Sequence, residues 1–356
     1  MTLRVVHVAS GREWRGGQRQ VWLLARELAR GGAAQVVITG HGSELAQRLR
    51  RDGVAVRPVR WSAGLDPRVV PAVLSELRHR PSLVHAHDAH AVTLGGVAAA
   101  LARAPLVATR RVDFPLRRTG FWGRAARVIA ISGAVARVLE ADGIPAARIA
   151  LVHSGIALDE VRAIRPLGIR TRLGLAPDTP LAVNVAALVP HKDQVTLIRA
   201  AERLVARLPS LHWVIAGDGP ERIKLERLVG GLGLGGRIHL LGHVDQPERL
   251  IADATCFVMS SREEGLGTAV LDAMALGIPV ASTAAGGLPE MLDDEAGVLA
   301  RPGDSASLAD AVARLLGDPG LAQATAARAA ARVEAFSAAR MAAAVGSVYR
   351  SCGPFP

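Results

Sequence analysis

Short apolar runs alternate with amphipathic stretches from one end of the chain to the other. In the first half, runs such as Val5–Val6–His7–Val8–Ala9 predict strands near residues 3–9, 35–39, 54–58, 82–87, 105–108, 127–131 and 148–152. Helical spacing predicts helices between them, most clearly over Gln18–Ala29 and Pro67–Arg78, and Gly31–Gly32 closes the first. The alternation restarts after a linker at Asp159–Gly168 that contains Pro166. Strands follow near 181–186, 211–216, 237–241, 255–259 and 278–282, with helices such as Gln194–Leu208. Two such series predict an α/β protein of two Rossmann-like, doubly wound domains, residues 1–165 and 166–335. In the closing stretch 336–356, Met341, Val345 and Val348 form one stripe of a last helix.

The densest chemistry lies in Ser260–Ser261–Arg262–Glu263–Glu264–Gly265–Leu266–Gly267–Thr268–Ala269–Val270–Leu271–Asp272–Ala273–Met274–Ala275. Ala254–Met259 before it reads as a buried strand, and Val270, Leu271, Met274 and Ala275 recur at helical spacing. A strand, a glycine turn and a helix in that order aim free backbone N–H groups and the positive end of a helix dipole at one spot, which suits a phosphate. Glu264 at the mouth of the turn and Asp272 on the helix add two acceptors, which suit hydroxyls beside that phosphate. A nucleotide sugar combines both groups.

This run resembles the signature of retaining glycosyltransferase family 4, in which E-G-F/L-G opens a motif of two Glu residues separated by seven others. The resemblance implies that Glu264 contacts the donor sugar and that Asp272, one methylene shorter than the family's Glu, faces the ribose. Gly265, Leu266, Gly267 and Thr268 would form the donor turn. Ala186–Ala187–Leu188–Val189–Pro190–His191–Lys192 resembles the family's G-R-L-x-x-x-K run, so Lys192 is expected on the donor pyrophosphate, with Ala187 standing where the family has Arg. Ile215–Glu221, Leu240–Val244 and Ala284–Glu290 resemble the family's further donor-side loops and bring in Gly217, Gly242 and His243. Toward the N-terminus, Arg15–Gly16–Gly17–Gln18 resembles the glycine loop that approaches the transferred sugar and the acceptor, so Gly16 and Gly17 join the donor set and Gln18 the acceptor side. Arg110 and Arg111 occupy the place of a family histidine near the reacting centre. Either would replace the charge lost at Ala187 or bind an anionic acceptor. The fold implied is GT-B, two domains facing a cleft, with the last helix crossing back onto the first. The implied activity is transfer of a sugar, of hexosyltransferase type, from a nucleotide diphosphate sugar to a glycan or lipid-linked acceptor, without a protein nucleophile and without a metal or other cofactor.

Three histidines close together, His85, His87 and His90, raise a metal site. The family needs none and no cysteine lies nearby, so a polar lining that includes His87 on the acceptor side is expected instead. The three departures at Ala187, Arg111 and Asp272 keep open a non-catalytic nucleotide-sugar-binding subunit. The histidine group keeps open a nucleotide-sugar epimerase of the same fold. No strand is followed by G-x-G-x-x-G, which argues against a dinucleotide dehydrogenase.

Composition narrows the setting. Half of the 356 residues are hydrophobic but only 3% are aromatic, which suits sheets covered by helices. The two cysteines, Cys256 and Cys352, predict no disulfide framework, and neither a signal peptide nor a membrane span is read, so a cytoplasmic setting is expected. Residues 1–165 carry 25 arginines, no lysine and 12 acids, net +13, whereas residues 166–356 carry net −2. The segment from Arg110 to Arg127 interleaves Arg117, Arg118 and Arg124 with Phe114, Phe121 and Trp122. Read one way it is an acceptor side resting on the inner face of an anionic membrane during lipopolysaccharide or polysaccharide synthesis. Read the other way its aromatics are core and its arginines a solvated rim. No nucleic-acid motif is present.

Overall fold

Seven strands pair in parallel in the order β3-β2-β1-β4-β5-β6-β7: β1 (Arg4–Ala9), β2 (Ala34–Gly40), β3 (Val56–Val59), β4 (Ser82–Ala86), β5 (Leu106–Arg110), β6 (Arg127–Ala130) and β7 (Ile149–Leu151). Six more, also parallel, follow the order β10-β9-β8-β11-β12-β13: β8 (Leu181–Val185), β9 (His212–Ala216), β10 (Ile238–Gly242), β11 (Cys256–Met259), β12 (Val280–Thr283) and β13 (Val298–Ala300). The computed structural model describes residues 4–61, 64–78, 82–116 and 118–352. Strand order reverses once in each sheet, beside β1 and β4 and beside β8 and β11. In open α/β sheets, ligands bind at the carboxyl ends of the strands at such a reversal. The glycine loop follows β1, the His87–Asp88 turn follows β4, the Lys192 loop follows β8 and the Glu264 turn follows β11, so the motifs lie at these two points.

Burial explains the strands. β4, β5, β9, β11 and β12 are buried at every residue, as parallel strands covered on both faces must be. Helix Gly16–Arg30 ends as its glycines predict: Gly32 takes φ +75°, and the N–H groups of Gly32 and Ala33 reach Ala29 O and Leu28 O. Strand β13, three residues with Leu299 exposed between two buried ones, is absent from the sequence reading.

Residues Met1–Ile156 with Phe336–Pro356 form one unit and Ala157–Ala335 the other. The boundary therefore falls after Ile156, not after residue 165 as the linker composition suggests. Helix Leu158–Arg162 buries Leu158 and Val161 and packs on helix Thr268–Ala275, and Leu167 N–H donates to Arg249 O at 2.9 Å, so this stretch belongs to the second unit. Helix Ala338–Arg350 lies in the first unit with Met341, Val345 and Val348 buried, and it packs on helix Gly16–Arg30. Where the chain leaves the first unit and returns to it, Ile156 N–H donates to Phe336 O at 2.9 Å and Ala338 N–H donates to Ile156 O at 2.8 Å. Gly155 sits so near this crossing that a Cβ would lie 2.8 Å from Ala338 Cα.

Candidate functional site

In the second unit, the turn after β11 places Glu264 against Lys192 from the loop after β8. Lys192 Nζ donates to Glu264 Oε2 in a short ion pair, and Ser261 Oγ donates to the same oxygen at 3.2 Å. The side chains are 17% and 9% exposed, so the pair is largely removed from water but open on one side. Backbone bonds stitch the two loops: Ser260 Oγ donates to Lys192 O at 2.9 Å, and Arg262 N–H to His191 O at 2.8 Å. Arg262 is spoken for by Asp193, at 2.6 Å. Gly265 and Leu266 are buried, and Gly267 opens helix Thr268–Ala275 at φ +89°. A Cβ on Gly267 would stand 2.8 Å from Leu288 Cδ2. The helix has no side-chain cap and no acid in its first turn, so its free N–H groups at Thr268 keep their positive potential. Asp272, 2% exposed, faces into the unit and is engaged within it.

Two neighbouring glycines serve the backbone. A Cβ on Gly217 would stand 1.9 Å from Ala186 O, and one on Gly219 would stand 2.3 Å from Leu188 O. Only glycine lets this turn press against the loop that carries Lys192. Leu188 N–H donates to Asp218 O at 3.0 Å, and Gly217 N–H donates to Gly242 O at 2.8 Å, which ties Gly242 into the same stack. His243 is exposed, 3.4 Å from Asp245. Ala187 turns its carbonyl to Gln194 Nε2 at 3.1 Å.

In the first unit, helix Gly16–Arg30 also starts without a side-chain cap or an acid in its first turn. Gln18 lies over Gly11, whose missing Cβ makes the room. The histidine group differs from the expected one. Parallel pairing of β1 with β4 sets His7 opposite His85, and alternation puts His87 on the same face. His7, His85 and His87 are buried, with ring nitrogens all within 4.8 Å of one another, while His90 is exposed on helix Ala89–Ala102. A neutral imidazole triad is a donor set that fits a metal. Four of the six ring nitrogens are already used: His85 bonds Tyr349 Oη and Thr109 Oγ1, each at 2.7 Å, and His7 Nδ1 meets His87 Nε2 at 3.0 Å, while His7 Nε2 and His87 Nδ1 have no partner among the described residues. Burial lowers all three, His7 to about 4 and His85 and His87 well below the usual imidazole range.

Arg110 and Arg111 point to different surroundings. Arg110 Nη2 donates to Phe114 O at 2.6 Å and lies over the rings of Phe114 and Trp122, so it pins the loop after β5. Arg111 approaches the glycine loop, with its Cδ 3.9 Å from where a Gly17 Cβ would be. Arg118 is exposed, and Arg117 lies outside the described residues. Trp122 is buried, and Phe121 fills the space over Gly96, where a Cβ would stand 2.4 Å from its ring. Trp122 is core and Phe121 is half-buried against Gly96, which favours the solvated-rim reading of the segment; Phe114, 42% exposed, is the exception. Sequence reasoning missed Gln20, which is buried and clamps Gly155 with both amide atoms at 2.8 and 2.9 Å. Both cysteines are free. No helix among the described residues is long and apolar enough to cross a membrane.

The profile for "Glycosyltransferase Family 4" matches residues 14–160, and that for "Glycosyl transferases group 1" matches residues 168–332. The chain is 32% identical over 310 residues to the D-inositol 3-phosphate glycosyltransferase of Streptomyces bingchenggensis, covering 76% of this chain and 67% of that one. It is 36% identical over 154 residues to the lipopolysaccharide core biosynthesis glycosyltransferase LpsE of Rhizobium meliloti, 43% of this chain and 44% of the relative. Most curated relatives are matched over about half their length or less. Anabaena HepE in complex with UDP-glucose superposes with a TM-score of 0.87 at 21% identity, over 98% of this chain and 99% of that one. Sucrose-phosphate synthase from Thermosynechococcus elongatus gives 0.78 at 22%, over 98% of each. The chain belongs to the group 1, family 4-type glycosyltransferases and has their GT-B fold.

Proposed function

We propose that this chain is a retaining glycosyltransferase that moves a sugar from a nucleotide diphosphate sugar, held by the second unit, to a hydroxyl of an acceptor held by the first. The observation that carries the reading is the Lys192–Glu264 pair beside the uncapped start of helix Thr268–Ala275. Lys192 and the helix N–H groups offer positive potential to a departing diphosphate, and Glu264 offers acceptor oxygens to sugar hydroxyls. The pair also keeps each member ready, because the carboxylate holds Lys192 in place before the donor arrives. Retention follows when the acceptor oxygen attacks from the face the diphosphate leaves, so no protein nucleophile and no metal is called for. Envelope glycan synthesis is the setting favoured by the likeness to LpsE, and the basic first domain fits an anionic acceptor or membrane surface. Thermal shift against UDP-, GDP- and ADP-sugars, then transfer from the stabilising donor, tests the reading. Stabilisation without transfer would reduce the chain to a binding subunit, and no stabilisation by any donor would overturn it.

A further inference from the structure

Arg111 is a cation without a counterpart. Among the described residues it makes no hydrogen bond and no ion pair, and its Nε is buried without a partner. Burial lowers its proton affinity to about 10, with Asp88 the one group opposing that shift. Asp88 is itself committed: it accepts from Ser10 N–H at 2.7 Å, from Ser10 Oγ at 2.5 Å and from Ala91 N–H at 3.0 Å as the cap of helix Ala89–Ala102. The guanidinium stem runs along Gly17, at the uncapped start of helix Gly16–Arg30. His87, 4% exposed, lies near enough to Arg111 for the guanidinium to help keep the imidazole neutral, and among the described residues its buried Nδ1 has no partner. Arg111 is half-buried, and a folded protein seldom keeps a buried guanidinium nitrogen and a buried imidazole nitrogen unsatisfied unless something else satisfies them. A forked guanidinium, free N–H groups of a helix start and a neutral imidazole all suit oxyanions.

We propose that Arg111, His87 and the opening turn of helix Gly16–Arg30 form an oxyanion site in the first unit that takes a phosphate or carboxylate borne by the acceptor. It deepens the proposed function and rests on that reading's assignment of the acceptor to the first unit. The acceptor then belongs to the class of phosphorylated or acidic glycosides and polyols, and neutral sugars of the same shape are discriminated against by the unmatched cation.

The test titrates inorganic phosphate into the full chain at constant ionic strength, set with chloride, and follows melting temperature and the phosphate NMR line. Wild type is expected to be stabilised saturably, Arg111→Gln to bind at least tenfold more weakly, and Lys192→Ala to bind as wild type does. Without ligand, Arg111→Gln is expected to melt no lower than wild type, because it removes a half-buried charge that has no partner. A lower melting temperature would show that the guanidinium serves the fold and would overturn the site. Phosphate binding untouched by Arg111→Gln, or lost in Lys192→Ala, would overturn it as well. Saturating nucleoside diphosphate should leave phosphate binding in place; displacement would assign the anion to the donor and overturn the acceptor assignment. Should nucleoside diphosphates fail to bind while phosphate still depends on Arg111, the donor reading falls and the oxyanion site stands.

Discussion

The two units carry opposite solutions to the same electrostatic problem. At the strand-order reversal of the second, a cation and a carboxylate neutralise each other, and the two loops that bear them are sewn together by backbone bonds. At the reversal of the first, a guanidinium has no partner among the described residues and stands near His85 and His87, which burial keeps neutral with His7. A neutralised pair sits ready at little cost to the fold, whereas a half-buried cation with no partner is a cost that a bound anion would offset. The difference teaches which unit is organised before its ligand arrives and which is completed by it.

The sharpest way to break the comparison is Glu264→Gln. It keeps the shape, removes the charge that orients Lys192, and is expected to lower turnover by at least about 10²-fold, the scale of losing one electrostatic contact to a transition state. Wild-type turnover in a folded variant would strip Glu264 of its role.

Lys192→Ala should weaken donor binding and turnover together. It should also cost about 2 kcal/mol in urea denaturation, less than a fully buried pair loses because Ser261 still donates to Glu264. Lys192→Arg should recover part of both, since the fork does not fit the space of an ammonium. Unchanged donor affinity in Lys192→Ala would move the diphosphate elsewhere.

The first unit should be the acid-sensitive one. His7 protonates near 6.5 when unfolded and near 4 when folded, so the unfolded chain binds the extra proton between those values. Stability is therefore full above about pH 6.5 and falls toward pH 4, by about 1.4 kcal/mol per pH unit for each such histidine. His85 and His87 add to the slope in the same direction. His7→Gln should flatten it. A pH-independent melting temperature from 7 to 4.5 would contradict the buried neutral cluster.

The smallest effect is expected from Tyr349→Phe, which leaves His85 Nδ1 without its partner and should cost about 1–2 kcal/mol while donor affinity stays the same. A fall in donor affinity would show that the two clusters are not independent.

What the sequence disclosed follows from how local each feature is. The strands are legible because each is a short apolar run bounded by turn residues, and the donor side because the turn at Glu264 and the loop at Lys192 are each continuous in the chain. That these two residues are joined is not legible, since 72 positions separate them. His7 was invisible as a partner of His85 until β1 and β4 were set in register. His90 misled, because Asp88 caps a helix there and turns the next histidine outward to water. Arg110 and Arg111 read as a pair, yet consecutive residues at a strand end point to opposite sides. Gln20 lies in an ordinary helical pattern, and nothing near it announces Gly155.

The crossing at Ile156 has a consequence for how such a chain can be built. Because the main chain departs and returns at two hydrogen-bonded points, residues 157–335 are topologically a cassette set into a complete host. Closely spaced ends are what insertion and excision of a module require. A gene for this architecture can exchange residues 157–335 at one locus, keeping the host unit and its closing helix untouched.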